Sequence, residues 1–209
     1  MLGATLTLLG LLVGFSFSMA ISRYDLRKAY EEEEANAIGT EYLRADLLPE
    51  TTRIKVKQQL VEYLDLRIQK YQSNASTDTT QLGSRTTQLQ NEMWSQVANA
   101  TAGRTDPVMA TVVTGMNDVI NRQGYTQAAR WNRIPLPAWG LMAAIALFSN
   151  FLIGYGEKTP GANKKLLLIV PLAISVSLLL IADIDSPQGG LIRVSPQNLI
   201  SLADSLKAH

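Results

Sequence analysis

The chain has 209 residues, with 19 Lys and Arg against 18 Asp and Glu, for a formal net charge of +1. That balance gives nucleic acid no electrostatic reason to bind the chain as a whole, so no nucleic-acid partner is expected. Cysteine is absent and the one histidine is the terminal His209, which excludes disulfides, thiolate chemistry and His-dependent triads, so neither a metal site nor a cofactor is expected.

A mean hydropathy of +0.04 and 46% hydrophobic residues resemble the averages of a soluble protein, but apolar and charged residues are segregated along the chain. Met1–Ser22 carries no charge and then passes, without a helix breaker, into Arg23-Tyr24-Asp25, a basic cluster and an acidic run. A hydrocarbon core about 30 Å thick needs roughly 20 apolar residues in a helix, so this first segment is long enough to cross it. Ser18-Met19-Ala20 would suit a signal-peptide cleavage rule. However, no Lys or Arg precedes Arg23 and the apolar run exceeds a signal h-region, so a retained helix is expected. Gly3, Thr7, Gly10, Gly14 and Ser18 recur at spacings of three and four and share one face. Such a small-residue stripe admits a neighbouring helix backbone or lines a pore, and the pattern alone does not choose.

Arg23 to about Asp46 continues the same helix, and Leu47-Leu48-Pro49 ends it, because a residue before proline leaves the helical region. Glu31–Glu34 reads as a solvated face, pairing Arg27 with Glu31 and Lys28 with Glu32 one turn apart. An acidic ring round a pore mouth is the sharper alternative. From Thr51 to Tyr71, Ile54, Val61, Leu64, Ile68 and Tyr71 recur at helical spacing. Ser73–Gly83 is polar and predicts a loop. Ser84 to about Ala102 predicts a helix with Leu89, Met93, Val97 and Ala100 on one face. Asp106-Pro107 supplies a capping Asp and a first-turn Pro for a helix that passes Val112, Met116 and Ile120 toward Arg130, with Gly124 loosening it.

Ile134–Gly156 is a second charge-free span, with Pro135 and Pro137 at its start and Trp139 and Tyr155 as interface anchors. Leu166–Ala182 is a third, with Pro171 in its first turns and Asp183 closing it. All three are apolar all round rather than striped, unlike the amphipathic helices of a soluble core. Three spans put the middle region and the tail on one side of the membrane. That side carries Arg23, Arg27, Lys28, Arg130, Arg133 and Arg193, against Lys158, Lys164 and Lys165 in the short loop opposite. The bias makes the middle region cytoplasmic.

Certain phrases carry a family resemblance. Glu34-Ala35-Asn36-Ala37-Ile38-Gly39-Thr40-Glu41-Tyr42-Leu43-Arg44-Ala45-Asp46-Leu47-Leu48-Pro49 resembles the signature of the bestrophin-like bacterial membrane proteins. Asn132-Arg133-Ile134-Pro135, Asp183-Ile184-Asp185-Ser186-Pro187 and Gly190-Leu191-Ile192-Arg193-Val194-Ser195 extend it over nearly the whole chain. The resemblance marks Glu34, Asn36, Gly39, Tyr42, Arg44, Asp46, Arg133, Pro135, Asp185, Gly190 and Arg193 as family-motif residues. Gly14-Phe15 through Arg23-Tyr24-Asp25 is similar to the pore helix of bestrophins proper, and Ser186-Pro187 with Gly189 is similar to a motif after their last span. Bestrophins are pentameric chloride channels, so the resemblance implies a neck at Phe15, Leu11 and Thr7, with Thr7 departing from the apolar type. Ser195-Pro196-Gln197-Asn198 stands where bestrophins carry an acidic calcium clasp, so no calcium site is implied. The family also places a membrane helix ahead of the one that begins here at Met1.

The sequence thus predicts an all-α helical membrane protein with three transmembrane helices (1–22, 134–156 and 166–182) and a helical cytoplasmic region over 23–133. A short extracytoplasmic loop over 157–165 and a cytoplasmic tail with a short helix over 183–209 complete it. It is expected to be multi-pass in the bacterial inner membrane, contacting lipid, and to form a homo-oligomer that passes chloride or another anion. The alternative is a non-conducting scaffold or accessory subunit, in which Gly3, Gly10, Gly14 and Ser18 pack on a partner helix. An enzyme is not expected: no nucleophile or phosphate loop is evident, and Glu34 and Asp46 lie roughly three turns apart.

Overall fold

A computed structural model describes residues 2–73, 79–103, 106–156 and 168–208. Among the described residues all regular structure is helical, with no strand. Helix α1 runs Leu2–Arg44, unbroken through the change from apolar to polar sequence. A single 3-10 turn, Ala45–Leu47, follows it, and Leu48 is extended ahead of Pro49, where proline forbids the helical conformation. Next come α2 (Glu50–Gln72), α3 (Thr79–Thr101), α4 (Pro107–Trp131), α5 (Leu136–Gly156), α6 (Ile169–Asp185) and α7 (Gln197–Lys207).

The chain divides into two compact units. One comprises Met1–Asp25 with Asn132–Arg193, and holds the apolar half of α1, α5 and α6. Its core gathers Ala20, Ile134, Ile181 and Ile184, with Val13, Phe17, Tyr24, Ala138 and Trp139 against them. Two helical stretches, within 3–47 and 107–155, contain windows long and apolar enough to cross a membrane. Helix α6 is as apolar but has 17 described residues, short of the roughly 20 that a bilayer core takes. The start of that apolar segment, up to 167, lies outside the described residues, as do the expected loop at 157–165 and His209. Helix α5 begins two residues after Ile134, and Asn132–Pro135 ahead of it has no regular structure.

The second unit comprises Leu26–Trp131 with Val194–His209. Helix α2 packs on α3 and on α7, and α3 packs on α4. Its core includes Ile38, Leu60, Tyr63, Leu64, Leu89, Met93, Met116 and Leu199, each with at most 1% of its surface exposed. Asp106 starts α4 as its sequence suggests: its Oδ1 accepts the Val108 N–H at 2.9 Å. Gly124 lies within α4 and does not break it.

Two expectations for this unit are corrected. The loop expected at Ser73–Gly83 is helical from Thr79 onward. Packing of α3 against α2 overrides the weak helix preference of Thr, Ser and Gly there. The hydroxyls of Thr86 and Thr87 donate back to the carbonyls of Leu82 and Gly83. The α2 stripe holds only in part: Leu64 is buried and Ile68 and Tyr71 pack against the core, but Ile54 is exposed and Val56, Leu60, Tyr63 and Arg67 complete the buried face. Arg67 belongs to the buried face because a carboxylate awaits it there.

Candidate functional site

In the first unit, the apolar half of α1 turns two unlike faces outward and inward. Leu9, Ser16 and Ala20 are buried. Gly3, Thr7, Gly10, Leu11, Gly14, Phe15 and Ser18 are exposed on the other side, Leu11 at 54% and Phe15 at 61%. Side chains at i, i+4 and i+8 line one face of a helix, which brings Thr7, Leu11 and Phe15 into one row. A Cβ added at Gly3, Gly10 or Gly14 would meet nothing within 4 Å. Among the described residues the small stripe is therefore no packing seam. The Thr7 hydroxyl donates to the Gly3 carbonyl at 2.9 Å, which satisfies it without a partner helix.

The other end of this unit is tied by Asp185, 5% exposed. Its Oδ1 accepts from the Arg23 guanidinium at 3.3 Å, and the carboxylate accepts the Ile134 N–H at 3.0 Å and 3.2 Å. That N–H lies in the approach to α5, and Pro135 supplies the carbonyl that accepts the Ala138 N–H at 3.0 Å as the helix begins. Arg133 is exposed beside it. After α6 the chain turns sharply: Asp183 accepts the N–H groups of Leu191 and Ile192 at 2.7 and 2.8 Å, and Arg193 Nε donates to the Gly190 carbonyl at 2.6 Å. A side chain at Gly190 would overlap the Asp183 carbonyl, so only glycine fits.

The second unit holds a buried ionic cluster. Glu34 is fully buried, and both its oxygens accept from the Arg67 guanidinium, itself 3% exposed. The Thr126 hydroxyl on α4 divides its proton between Glu34 Oε2 at 3.2 Å and the Arg122 carbonyl at 3.0 Å. Arg130 lies over the Tyr71 ring, 4.5 Å from its centre. Burial pulls the Arg67 guanidinium down, but the Glu34 carboxylate more than offsets it and holds the group above the ordinary arginine range. Burial also pulls Arg130 down, and burial followed by the charges of Arg130 and Arg67 does the same to Lys70. The Glu34 carboxylate thus acts on two buried guanidinium groups, Arg67 and Arg130. Tyr63 and Tyr71 have their hydroxyls pushed up, first by burial and then by Glu34.

The acidic run is not the solvated face that its composition suggests. Glu31 is buried and caps α7: its Oε1 accepts the N–H groups of Asn198 and Leu199 at 3.0 Å each, and its Oε2 accepts from the Asn198 amide at 2.6 Å. Carboxylates are favoured at helix N-termini because the first backbone N–H groups there lack helical partners. Glu33 pairs with Arg122 on α4 and Glu34 with Arg67 on α2, while Glu32 alone is exposed. The whole run does not form an exposed acidic ring, since Glu31 and Glu34 are buried against partners in the same chain.

The remaining motif residues flank the same helices. Gly39 packs beneath Leu202 of α7, where a Cβ would stand 3.0 Å from Leu202 Cδ1. Lys57 of α2 pairs with Asp46 at 2.6 Å and lies 4.5 Å from the centre of the Tyr42 ring. Asn36, Thr40 and Arg44 face Gly115, Asp118 and Arg122 of α4 across a groove of about 350 Å³. Tyr30 stacks on Tyr125 along its continuation, at 6.0 Å between ring centres. Beside this groove Glu41 is completely buried, and neither carboxyl oxygen has a hydrogen-bond partner. Gly115 lies so close that a Cβ on it would overlap Glu41 Oε2 and Arg44 Nη1. The sequence pattern singles out none of Arg67, Thr126, Gly115 and Arg122, and it gives Glu31 and Glu41 no buried role. Arg67 left a signal: it stands four residues from Tyr63 and seven from Leu60, in phase with buried apolar positions.

A charge-free helix running into a helical unit held by buried ion pairs defines an all-α membrane protein. The chain belongs to the family of the Bestrophin-like domain, whose model matches residues 1–199. The fold is similar to crystal structures of point variants of a bacterial bestrophin homologue from Klebsiella pneumoniae. One has a TM-score of 0.74 at 12% identity, covering 99% of this chain and 84% of that one. A second has a TM-score of 0.72 at 10% identity, covering 99% and 85%. The crystal structure of a variant membrane protein matches at a TM-score of 0.68 and 12% identity, covering 97% of this chain and 86% of that chain. No curated protein matches by sequence.

Proposed function

We propose that the chain is one subunit of a homo-oligomeric, bestrophin-type anion channel, multi-pass in the bacterial inner membrane with three transmembrane helices. The observation that carries this is the outward row of Thr7, Leu11 and Phe15 on the charge-free half of α1, exposed on the face away from its packed side. Repeated about a symmetry axis, such a row forms a narrow apolar neck that passes ions by controlled wetting. Phe15 and Leu11 are the constriction, and Thr7 supplies a polar level. Gly3, Gly10, Gly14 and Ser18 let adjacent copies of α1 approach closely. The helical unit faces the cytoplasm, following the basic residues that flank the spans. No catalytic role is assigned.

The test is planar-bilayer recording of purified protein under a chloride gradient. Anion current is expected, with conductance rising in Phe15→Ala and Leu11→Ala. No current above background from protein that native mass measurement shows to be a closed ring would overturn the channel. A single copy within a larger complex would instead point to the scaffold reading, in which the glycine stripe packs on a foreign helix.

A further inference from the structure

We propose that Glu41 is a proton-binding site that latches α1 to α4, and that loss of its proton loosens this seam. Glu41 is 0% exposed, its two oxygens receive no hydrogen bond, and Oε2 lies against the backbone at Gly115. A carboxylate denied both water and donors is strongly disfavoured, whereas the neutral acid tolerates such a site. The charged groups around it are Arg44 on its own helix and Asp118 on α4, and the Glu33–Arg122 ion pair lies further along the same groove. Burial is the largest cause of its shift; Arg44 pulls the carboxyl down, Asp118 pushes it up, and it is raised from 4.5 to about 8. Once ionised, it must gain a donor. The Arg44 guanidinium and water entering the groove are the sources at hand, and each requires α4 to yield at Gly115, where no space is left. The seam closes when Glu41 is protonated and loosens as it ionises. The inference does not depend on ion conduction.

Two measurements on the full chain in detergent test it, from about pH 6 to about pH 10. Infrared difference spectra should show a protonated carboxyl band lost with a midpoint near 8 and absent from Glu41→Gln. Amide exchange across residues 112–119 of α4, corrected for its intrinsic pH dependence, should rise by up to about tenfold per pH unit below that midpoint and level off above it. In Glu41→Gln this rise should vanish. Asp118→Asn, at an exposed position, should move the midpoint down, and Arg44→Gln should move it up. These two variants keep the test decisive if Glu41→Gln does not fold. No titrating band in that range, an unchanged rise in Glu41→Gln, or shifts of the opposite sign would overturn the proposal.

Discussion

Replacing Glu34 by leucine removes the one carboxylate that faces Arg67 while leaving Arg67 buried at 3% exposure. Breaking a buried pair in this way costs about 3–5 kcal/mol, because the surviving charge keeps its desolvation penalty and loses its partner. Here the loss belongs toward the upper end. Arg130 also feels the Glu34 carboxylate, so the substitution removes the compensating charge from two buried guanidinium groups at once. Arg67→Met should cost less, since it leaves Glu34 beside Arg130 and still accepting from Thr126. At roughly 2–4 °C per kcal/mol for a chain of this size, Glu34→Leu lowers the melting temperature by about 6–20 °C. Far-UV circular dichroism of detergent-solubilised protein at one fixed scan rate measures this, and the common rate matters because such melts are often irreversible. The double variant Glu34→Leu with Arg67→Met should melt above Glu34→Leu alone, since an apolar pair of similar volume leaves no orphaned charge. A fall of less than about 2 °C in Glu34→Leu, or a double variant no better than the sum of the singles, would refute the reasoning.

The remaining expectations follow from single contacts. Gly115→Ala should destabilise the α1–α4 contact by about 1–3 kcal/mol through overpacking, read as a lower melting temperature, because its Cβ overlaps Glu41 and Arg44. Glu31→Ala should expose the first turn of α7 to faster amide exchange at Asn198 and Leu199, with about 1–2 kcal/mol lost from a buried cap. Between pH 4.5 and about 8 folded Glu41 holds a proton that the unfolded chain has released, so stability falls as pH rises through that window and levels off above it. The penalty near pH 7 is about 3 kcal/mol, and chemical denaturation should show it shrinking in Glu41→Gln.

Punctuation and length were legible in the sequence. Asp106-Pro107 opens α4, and Pro49 forces the chain out of α1. The charge-free stretches stand out because a bilayer-scale helix needs no pattern beyond composition. Interior partners were not legible, because they depend on long-range pairing. Glu31 finds its donors 167 residues away, and Glu34 finds Arg67 33 residues away, so the acidic run looks solvated when read locally. The α2 stripe was incomplete for the same reason: counting apolar residues ignores an arginine that burial has paired. The motif residues Glu34, Asp185, Gly39 and Gly190 turn out to hold backbone and helices in place. The family signature therefore records architecture more than chemistry.

The cap on α7 also has a consequence for the order in which the protein can be made. The helical unit is built from Leu26–Trp131 and Val194–His209, with the whole of 132–193 translated between them. Until α7 leaves the ribosome, the Glu31 carboxylate has no amides to receive and the site of Leu199 stands open to water. Domains that fold during synthesis normally close as soon as their own sequence has emerged. This one must wait, half assembled, while the apolar helices α5 and α6 are made, and the eleven-residue α7 completes it afterwards. A chain stalled before Val194 carries an unfinished helical unit.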